Sequence, residues 1–456
     1  MSPTPTLLWL RRDLRLNDHP ALSDAAKHGE VLPVYIHSPA PKNGRAMGAA
    51  QRWWLHQNLE TLDQNLRQKG GNLVLRKGEP LAVLRDLIQE TGAQRLVFTH
   101  AYDTATRAQD NKITQALTKD GIEVQAFGGH LLHEPWDILN KQGGPYRVYT
   151  PFAKACFEHP VTPPLPAPPT IPFPAKFPRS DKLSDWGLCP SKPDWAQQMA
   201  KEWEAGEDAV RRQLNTFIKN GLEHYHTERD RPDLDGVSRL SPYLALGVIS
   251  PRQIWQAVQQ TGRAYEKGPH TYLKELLWRE FSYHQLYHQP DIMRHPIQPS
   301  FARFPWRISK RDLAAWQQGK TGYPIVDAGM RQLWRTGWIH NRVRMIVASF
   351  LVKDLRLSWQ EGEAWFWDTL IDADPASNPA SWQWVAGCGA DAAPYFRIFN
   401  PTLQEKKYDP KGDYVRRYVP EWKGQGSTTY PAPLVDHTLA RREALEALSL
   451  IKRQAD

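Results

Sequence analysis

Apolar and polar positions change rhythm partway along the chain, and the change divides it. Over residues 1–128, short apolar runs at 7–10, 31–36, 72–76, 95–99 and 123–127 alternate with stretches of helical period. The runs are too short for helices and rich in Leu, Val and Ile, which predicts strands buried on both faces. Between them the pattern predicts a short helix opened by Pro20 and closed before Gly29, then helices near 49–68, 80–90 and 104–118. Such alternation implies right-handed βαβ units, hence an α/β doubly wound domain with a five-stranded parallel sheet. No GxGxxG follows the first run, so a Rossmann dinucleotide site is not indicated.

After residue 195 the period becomes 3.6 almost throughout. Helices are predicted near 200–220, 240–246, 251–261, 265–289, 310–318, 326–334, 339–355, 359–369 and 439–452. From Pro160 to Pro178 nine of nineteen residues are proline, which cannot donate to a helix or sheet, so this stretch predicts an extended connector. The expected organisation is an α/β domain over 1–130, a Pro-rich interdomain linker over 131–195, and a larger all-α domain over 196–456. No internal repeat is visible.

Composition narrows the class. Among 456 residues, 23% are charged and 41% hydrophobic, the balance of a globular chain, and no apolar run approaches a membrane span. The start lacks a signal-peptide core, so a cytoplasmic protein is expected. Cys156, Cys189 and Cys388 form no CxxC pair, which argues against a zinc site or a disulfide framework. A net charge of +9 suits a polyanionic partner. Twelve of the nineteen tryptophans lie from Trp255 onward, which points to a cofactor or nucleic acid in the second half.

Chemistry concentrates in DADPASNPASWQWVAGCGADAAPYFRIFNP, residues 372–401. Carboxylates beside tryptophans are unusual in a core, because an unpaired buried charge is costly. A plainer reading has Asp374 and Asp391 as helix caps, Pro394 as a helix start and the tryptophans as packing. In residues 271–288, Glu275, Trp278 and Arg279 fall at i, i+3 and i+4 on one helical face. They make either an intrahelical ion pair beside a core tryptophan or a pocket wall that stacks a base and accepts its N–H. Asn341 and Met345 share a face of the next wall, and Arg344 calls for a carboxylate partner, for which Asp372 is the candidate. Around Asp233, Asp235 and Gly236, a turn leads to Ser238, Arg239 and Ser241, the makings of an anion-gripping helix start.

These stretches, with TGYPIVDAGMRQLWRTGWIHNRVRMIVASFLVKD at 321–354, resemble the DNA photolyase and cryptochrome family in long, ordered segments. The resemblance implies bound FAD, reduced in the active form, held by Tyr225, Val237, Ser238, Arg239, Leu240, Ser241, Arg279, Arg344, Asp372, Ala373, Asp374 and Asn378. It implies that Asn378 accepts a hydrogen bond from flavin N5, the asparagine of photolyases where plant cryptochromes carry Asp and animal ones Cys. It implies a pocket for UV-damaged DNA formed by Arg229, Glu275, Trp278, Asn341, Arg342, Trp384 and Gln404, with Glu275, Asn378 and Met345 catalytic. It also implies an electron-transfer chain of Trp382, Trp359 and Trp306, which no spacing argument could reveal. Asn341 and Met345 resemble the branch that repairs cyclobutane pyrimidine dimers; the (6-4) branch has histidines in this region. Val237 replaces a common Thr and Pro379 a common Asn.

The expected activity is therefore a light-driven carbon–carbon lyase, with a (6-4) photolyase or a signalling cryptochrome as alternatives. The short segment after Trp422 weighs against the latter. An antenna chromophore in the first domain is a further implication. The segment 48–62 resembles the folate-binding group, favouring methenyltetrahydrofolate over a deazaflavin, although the Asn-Glu pair and the lysine of some folate binders read here as Ala105-Thr106 and Arg294. A monomer is expected.

Overall fold

A computed structural model describes residues 4–289, 291–392, 396–424 and 430–453, and Pro394 lies outside them. The chain groups into two compact units. The first comprises Met1–Leu139, Ala155–Thr216 and Arg239–Tyr265; the second comprises Asn140–Lys154, Phe217–Ser238 and Glu266–Asp456.

The first unit is built on five parallel strands: β1 (Thr6–Leu10), β2 (Val31–His37), β3 (Val74–Lys77), β4 (Arg95–Thr99) and β5 (Glu123–Phe127). Their order is β3-β2-β1-β4-β5, the doubly wound arrangement that the alternation predicts. Every residue of β1 and β4 is buried, whereas β5 is partly exposed along its length, as an edge strand should be. Helix starts follow local chemistry: Pro20 opens Pro20–His28 behind the capping ring of His19, and the Asp103 carboxylate caps Thr104–Lys119.

The proline-rich stretch is where the division departs from the boundaries at 130 and 195. Rather than standing apart as a linker, it is tied to the sheet unit. Val31 N donates to Pro172 O at 2.7 Å and Asp18 N to Leu165 O at 2.8 Å. Just beyond it, Leu75 N donates to Ser180 Oγ at 2.9 Å and Asp181 N to Leu75 O at 2.8 Å, covering the outer edge of β3. A proline cannot donate, but its carbonyl accepts, and composition does not reveal where such acceptors dock.

The second unit is helical around one core containing Trp316, Leu333, Val347, Phe350, Trp359, Phe366 and Trp382. The helix Lys267–His288 forms where 265–289 was expected, and Trp359–Thr369 has the expected bounds. Three expectations need correction. The helix expected near 200–220, which belongs to the first unit as far as Thr216, is two, Gln197–Glu202 and Glu207–Asn220, parted by Gly206 at φ 95°, where a Cβ would come within 2.3 Å of Thr61 of that same unit. The helix expected over 339–355 is Asn341–Ser349 followed by a π-helical turn, Phe350–Asp354. That turn carries Lys353, which is fully buried, donates to Ala386 O at 2.9 Å and is held by burial well below its usual basicity. Finally, Ser377–Ala386 is a helix missing from the periods given above, where two prolines break the pattern, although the plainer reading of Asp374 as a helix cap anticipates it. Pro379 sits in its first turn, where a missing N–H costs nothing, and Asp374 Oδ1 accepts from Ala376 N and Ser377 N.

Candidate functional site

Asn378 lies in the first turn of Ser377–Ala386 and is 7% exposed. Its Nδ2 donates to Glu363 Oε1 at 2.7 Å and to Glu363 O at 3.1 Å, both on Trp359–Thr369. With the donor end spent, Oδ1 is left as the acceptor, and among the described residues nothing donates to it. A neutral acceptor fixed in this way suits a ligand N–H.

Asp372 and Arg344 are paired as the sequence implies, Arg344 Nη2 to Asp372 Oδ2 at 2.7 Å, with Arg344 Nε donating to Ile339 O. The Asp372 side chain is 2% exposed, so the pair is shielded on its acidic side. Asp374 serves as the helix cap already described and also accepts from the Tyr283 hydroxyl at 2.6 Å. Ala373 between them is buried. Arg279 donates to Glu280 at 3.2 Å and lies over the Tyr283 ring at 4.8 Å. The intrahelical Glu275–Arg279 pair weighed above is therefore not formed.

Glu275 is instead engaged by Arg229 Nη1. Burial pushes its carboxyl upward, and the Arg229 guanidinium opposes that shift. Trp278, one turn along, has one ring face covered by Tyr149, stacked at 3.6 Å between centroids with 6° between planes. Tyr149 is held from below by its hydroxyl bond to Lys274 O. Asn341 is exposed and Met345 half-buried one turn further on. Arg342 donates to Asp230 Oδ2 at 2.7 Å and packs 4.5 Å from the Tyr408 ring centroid. His340, which opens this helix, is buried among Asp230, Arg342, Arg344 and Arg229, and burial lowers its pKa to about 4. Trp384 is half-buried beneath the Arg397 guanidinium, 4.9 Å away. Gln404 is half-buried on Pro401–Tyr408, the helix that also exposes Lys406 and Lys407.

The proposed anion grip is arranged differently from expectation. Arg239 precedes the helix rather than sitting in its first turn, at φ 53°. Within the first unit its guanidinium stacks over Trp203 at 4.5 Å and faces Glu202 at 3.4 Å. The helix it precedes, Ser241–Ala245, is five residues long and is capped by Leu240 without a side-chain bond, so neither serine caps it. In the second unit, the Ser238 hydroxyl is hydrogen-bonded to Tyr272, Val237 is half-buried and Tyr225 packs edge-on to Tyr272 at 5.1 Å.

The three tryptophans grade outward. Trp382 and Trp359 are each 2% exposed, and Trp306 is half-buried at the margin of the same core. Among the described residues, the ring neighbours of Trp382 are Phe366 at 5.0 Å and Trp316 at 6.1 Å, and that of Trp306 is Phe304 at 4.3 Å. Gly362 permits this packing, since a Cβ there would come within 2.1 Å of the Trp382 ring.

Sequence reasoning missed Glu363, Asp230, Tyr149 and Arg397. Glu363 lies four residues after Trp359 on the helix Trp359–Thr369, and that spacing, which puts both on one face, was the available signal. The others come from loops or distant segments, and only the tertiary fold brings them to the site.

Comparison with known proteins bears on the chain as a whole. Residues 272–428 match the FAD binding domain of DNA photolyase and residues 6–170 match DNA photolyase. The chain is 47% identical to a deoxyribodipyrimidine photo-lyase of Agrobacterium fabrum, over 99% of both chains. It is 34% identical to cryptochrome-1 of Arabidopsis thaliana, covering 97% of this chain and 70% of that one. A crystal structure of a bacterial class III photolyase from Agrobacterium tumefaciens superposes with a TM-score of 0.95 at 46% identity, covering 99% of this chain and 98% of the other. With a parallel five-stranded sheet, a helical FAD-binding domain and full-length likeness of this order, the chain belongs to the DNA photolyase and cryptochrome family.

Proposed function

We propose that this protein repairs cyclobutane pyrimidine dimers in DNA, splitting the two carbon–carbon bonds that join the bases under blue or near-UV light. The observation that carries the reading is Asn378, whose amide is turned by Glu363 so that its carbonyl oxygen faces away from the protein donors. The donor set fits reduced FAD: Arg344 with Asp372, Asp374, Ala373 and Asn378 would hold it within the second unit, with Tyr225, Val237 and Ser238 contributing from the preceding segment. When bound, that cofactor supplies light absorption and the electron that the dimer takes up and returns.

The chain's own residues bind and orient. Asn378 accepts an N–H without adding negative charge, which supports the reduced cofactor. Glu275 accepts a base N–H, while the free face of Trp278, with Trp384, stacks on the extruded bases and returns about 1–3 kcal/mol per base. That offsets the few kcal/mol needed to unstack a lesion, a cost already lowered by poor stacking. Asn341 and Met345 close the pocket over the fused ring. Arg229, Arg342 and Gln404 contact the flanking backbone. Trp382, Trp359 and Trp306 carry electrons inward to restore the reduced state.

A methenyltetrahydrofolate antenna in the first unit, in preference to a deazaflavin, extends the reading on the strength of the segment 48–62. A cytoplasmic monomer completes it; among the described residues no helix is long and apolar enough to cross a membrane.

The reading is tested by giving light and chemically reduced protein two oligonucleotides, one with a cis-syn cyclobutane dimer and one with a (6-4) photoproduct. Loss of the first lesion alone is expected. Loss of the (6-4) lesion alone would reassign the substrate, and loss of neither would move the protein to the photoreceptors.

A further inference from the structure

Four charged side chains stand in an alternating row in the second unit. Arg229 engages Glu275, its Nε lies 3.9 Å from Asp230 Oδ1, and Asp230 Oδ2 accepts from Arg342 at 2.7 Å. The row sums to zero charge. Each member is part-exposed, between 15% and 30% by side chain, so DNA can reach all four. Two of the four, Arg229 and Arg342, are the guanidiniums expected to grip phosphate, and Glu275 is the carboxylate expected to meet a base. Asp230 alone has no partner role in that scheme.

Its position has an energetic consequence. A phosphate arriving at Arg342 must displace the Asp230 carboxylate, exchanging one charge-assisted hydrogen bond for another of similar strength. Simultaneously, Asp230 is brought beside a second anion in a partly desolvated place, which is unfavourable. Undamaged backbone therefore gains little here. A strand with an extruded dimer differs, because its base N–H competes for Glu275 and loosens Arg229 from the row. The loosened guanidinium can then pair with Asp230 through Nε, already 3.9 Å away, while its Nη donors turn to the flanking backbone, and Arg342 is released to that backbone as well.

From this row we infer that Asp230 is a specificity-determining positioning residue: it withholds Arg342 from undamaged DNA and yields it when a lesion engages Glu275. The inference rests on the DNA-repair reading above and names how that same site rejects ordinary strands.

The test uses the flavin-loaded protein in the dark, with two labelled single strands identical except for one thymine dimer. Binding of each is measured by fluorescence anisotropy over a range of salt. Asp230→Asn raises affinity for the undamaged strand about tenfold and for the damaged strand less than threefold, and the undamaged strand's log K against log salt steepens by about 0.7, one more phosphate neutralised. Asp230→Glu keeps the carboxylate and restores the wild-type ratio. Flavin absorbance reports that each variant is folded, and Asp230→Ser stands in should the Asn variant not fold. Equal gains on both strands, or an unchanged salt slope, would overturn the inference while leaving the repair reading intact. A wild-type protein that fails to prefer the damaged strand would instead remove the reading on which it rests.

Discussion

Asn378 Nδ2 and Glu363 Oε1 are 2.7 Å apart, and the same nitrogen also reaches the Glu363 carbonyl at 3.1 Å. Two bonds to one residue fix the rotation of the amide, so the direction of the Asn378 carbonyl is set by a neighbouring helix.

Removing the glutamate should release that amide. Removing the partner of a buried donor costs about 1–3 kcal/mol, so Glu363→Ala, which takes away the bond from Asn378 Nδ2 to the side chain, should lower stability by about that amount. It should also hasten air oxidation of the bound, reduced flavin, followed at its visible absorption. Asn378→Asp should weaken retention of reduced flavin more strongly, since it places a negative charge at the acceptor. Unchanged oxidation kinetics in both variants would show that the amide does not act on the cofactor.

The Arg344–Asp372 pair makes a different demand. Asp372 is nearly buried, and removing one partner strands the other, so Asp372→Asn should cost about 3 kcal/mol of unfolding free energy. Flavin retention should fall with it. Replacing both residues by apolar ones of like size should recover much of the stability but not the flavin. Equal flavin content in all variants would place the pair outside the cofactor site.

Trp382→Phe should abolish light-driven reduction of the oxidised flavin while leaving repair by chemically reduced protein within about threefold of wild type, a difference of under 1 kcal/mol. Flash photolysis and lesion counting on the same preparation separate the two. If both activities vanish, the indole supports the fold or the substrate rather than an electron path.

His340 supplies a pH signature. Its folded pKa, lowered by burial to about 4, lies below the ordinary 6.5. Between those values the unfolded chain binds more protons, so stability from this group is fully present above pH 6.5 and lost as pH falls toward 4. The groups facing it are Asp230, which favours the charged ring, and Arg342, Arg344 and Arg229, which oppose it. Denaturant unfolding at pH 7 and pH 5 should show a larger loss for wild type than for His340→Gln, by up to about 2 kcal/mol. Identical losses would mean that the ring is already free to protonate.

The sheet was readable because its strands are short, apolar and spaced by stretches of clear helical period, one of them opened by Pro20 and closed before Gly29. Two bounds of the second unit, at Trp359 and Thr369, were readable for the same reason. The Arg344–Asp372 pair followed from the cost of a buried charge. The Ser377–Ala386 helix was hidden because Pro375 and Pro379 signal a break, while the capping that tolerates them depends on Asp374 geometry. Where the proline-rich segment docks, and that Glu275 turns to Arg229 rather than Arg279, depends on residues brought close only by folding. The electron path proposed for Trp382, Trp359 and Trp306 came from family likeness alone, since their place in the core makes them indistinguishable from packing.

The central claim is that the helical unit holds a reduced flavin against a pocket that takes a thymine dimer. It is tested most directly by illuminating reduced, flavin-loaded protein with single-stranded DNA carrying one such dimer and counting restored thymines against a dark control. The account predicts two thymines regained per dimer, many dimers per bound flavin, and none in darkness. Restoration that is equal in the dark, or absent under light with flavin bound, would contradict it.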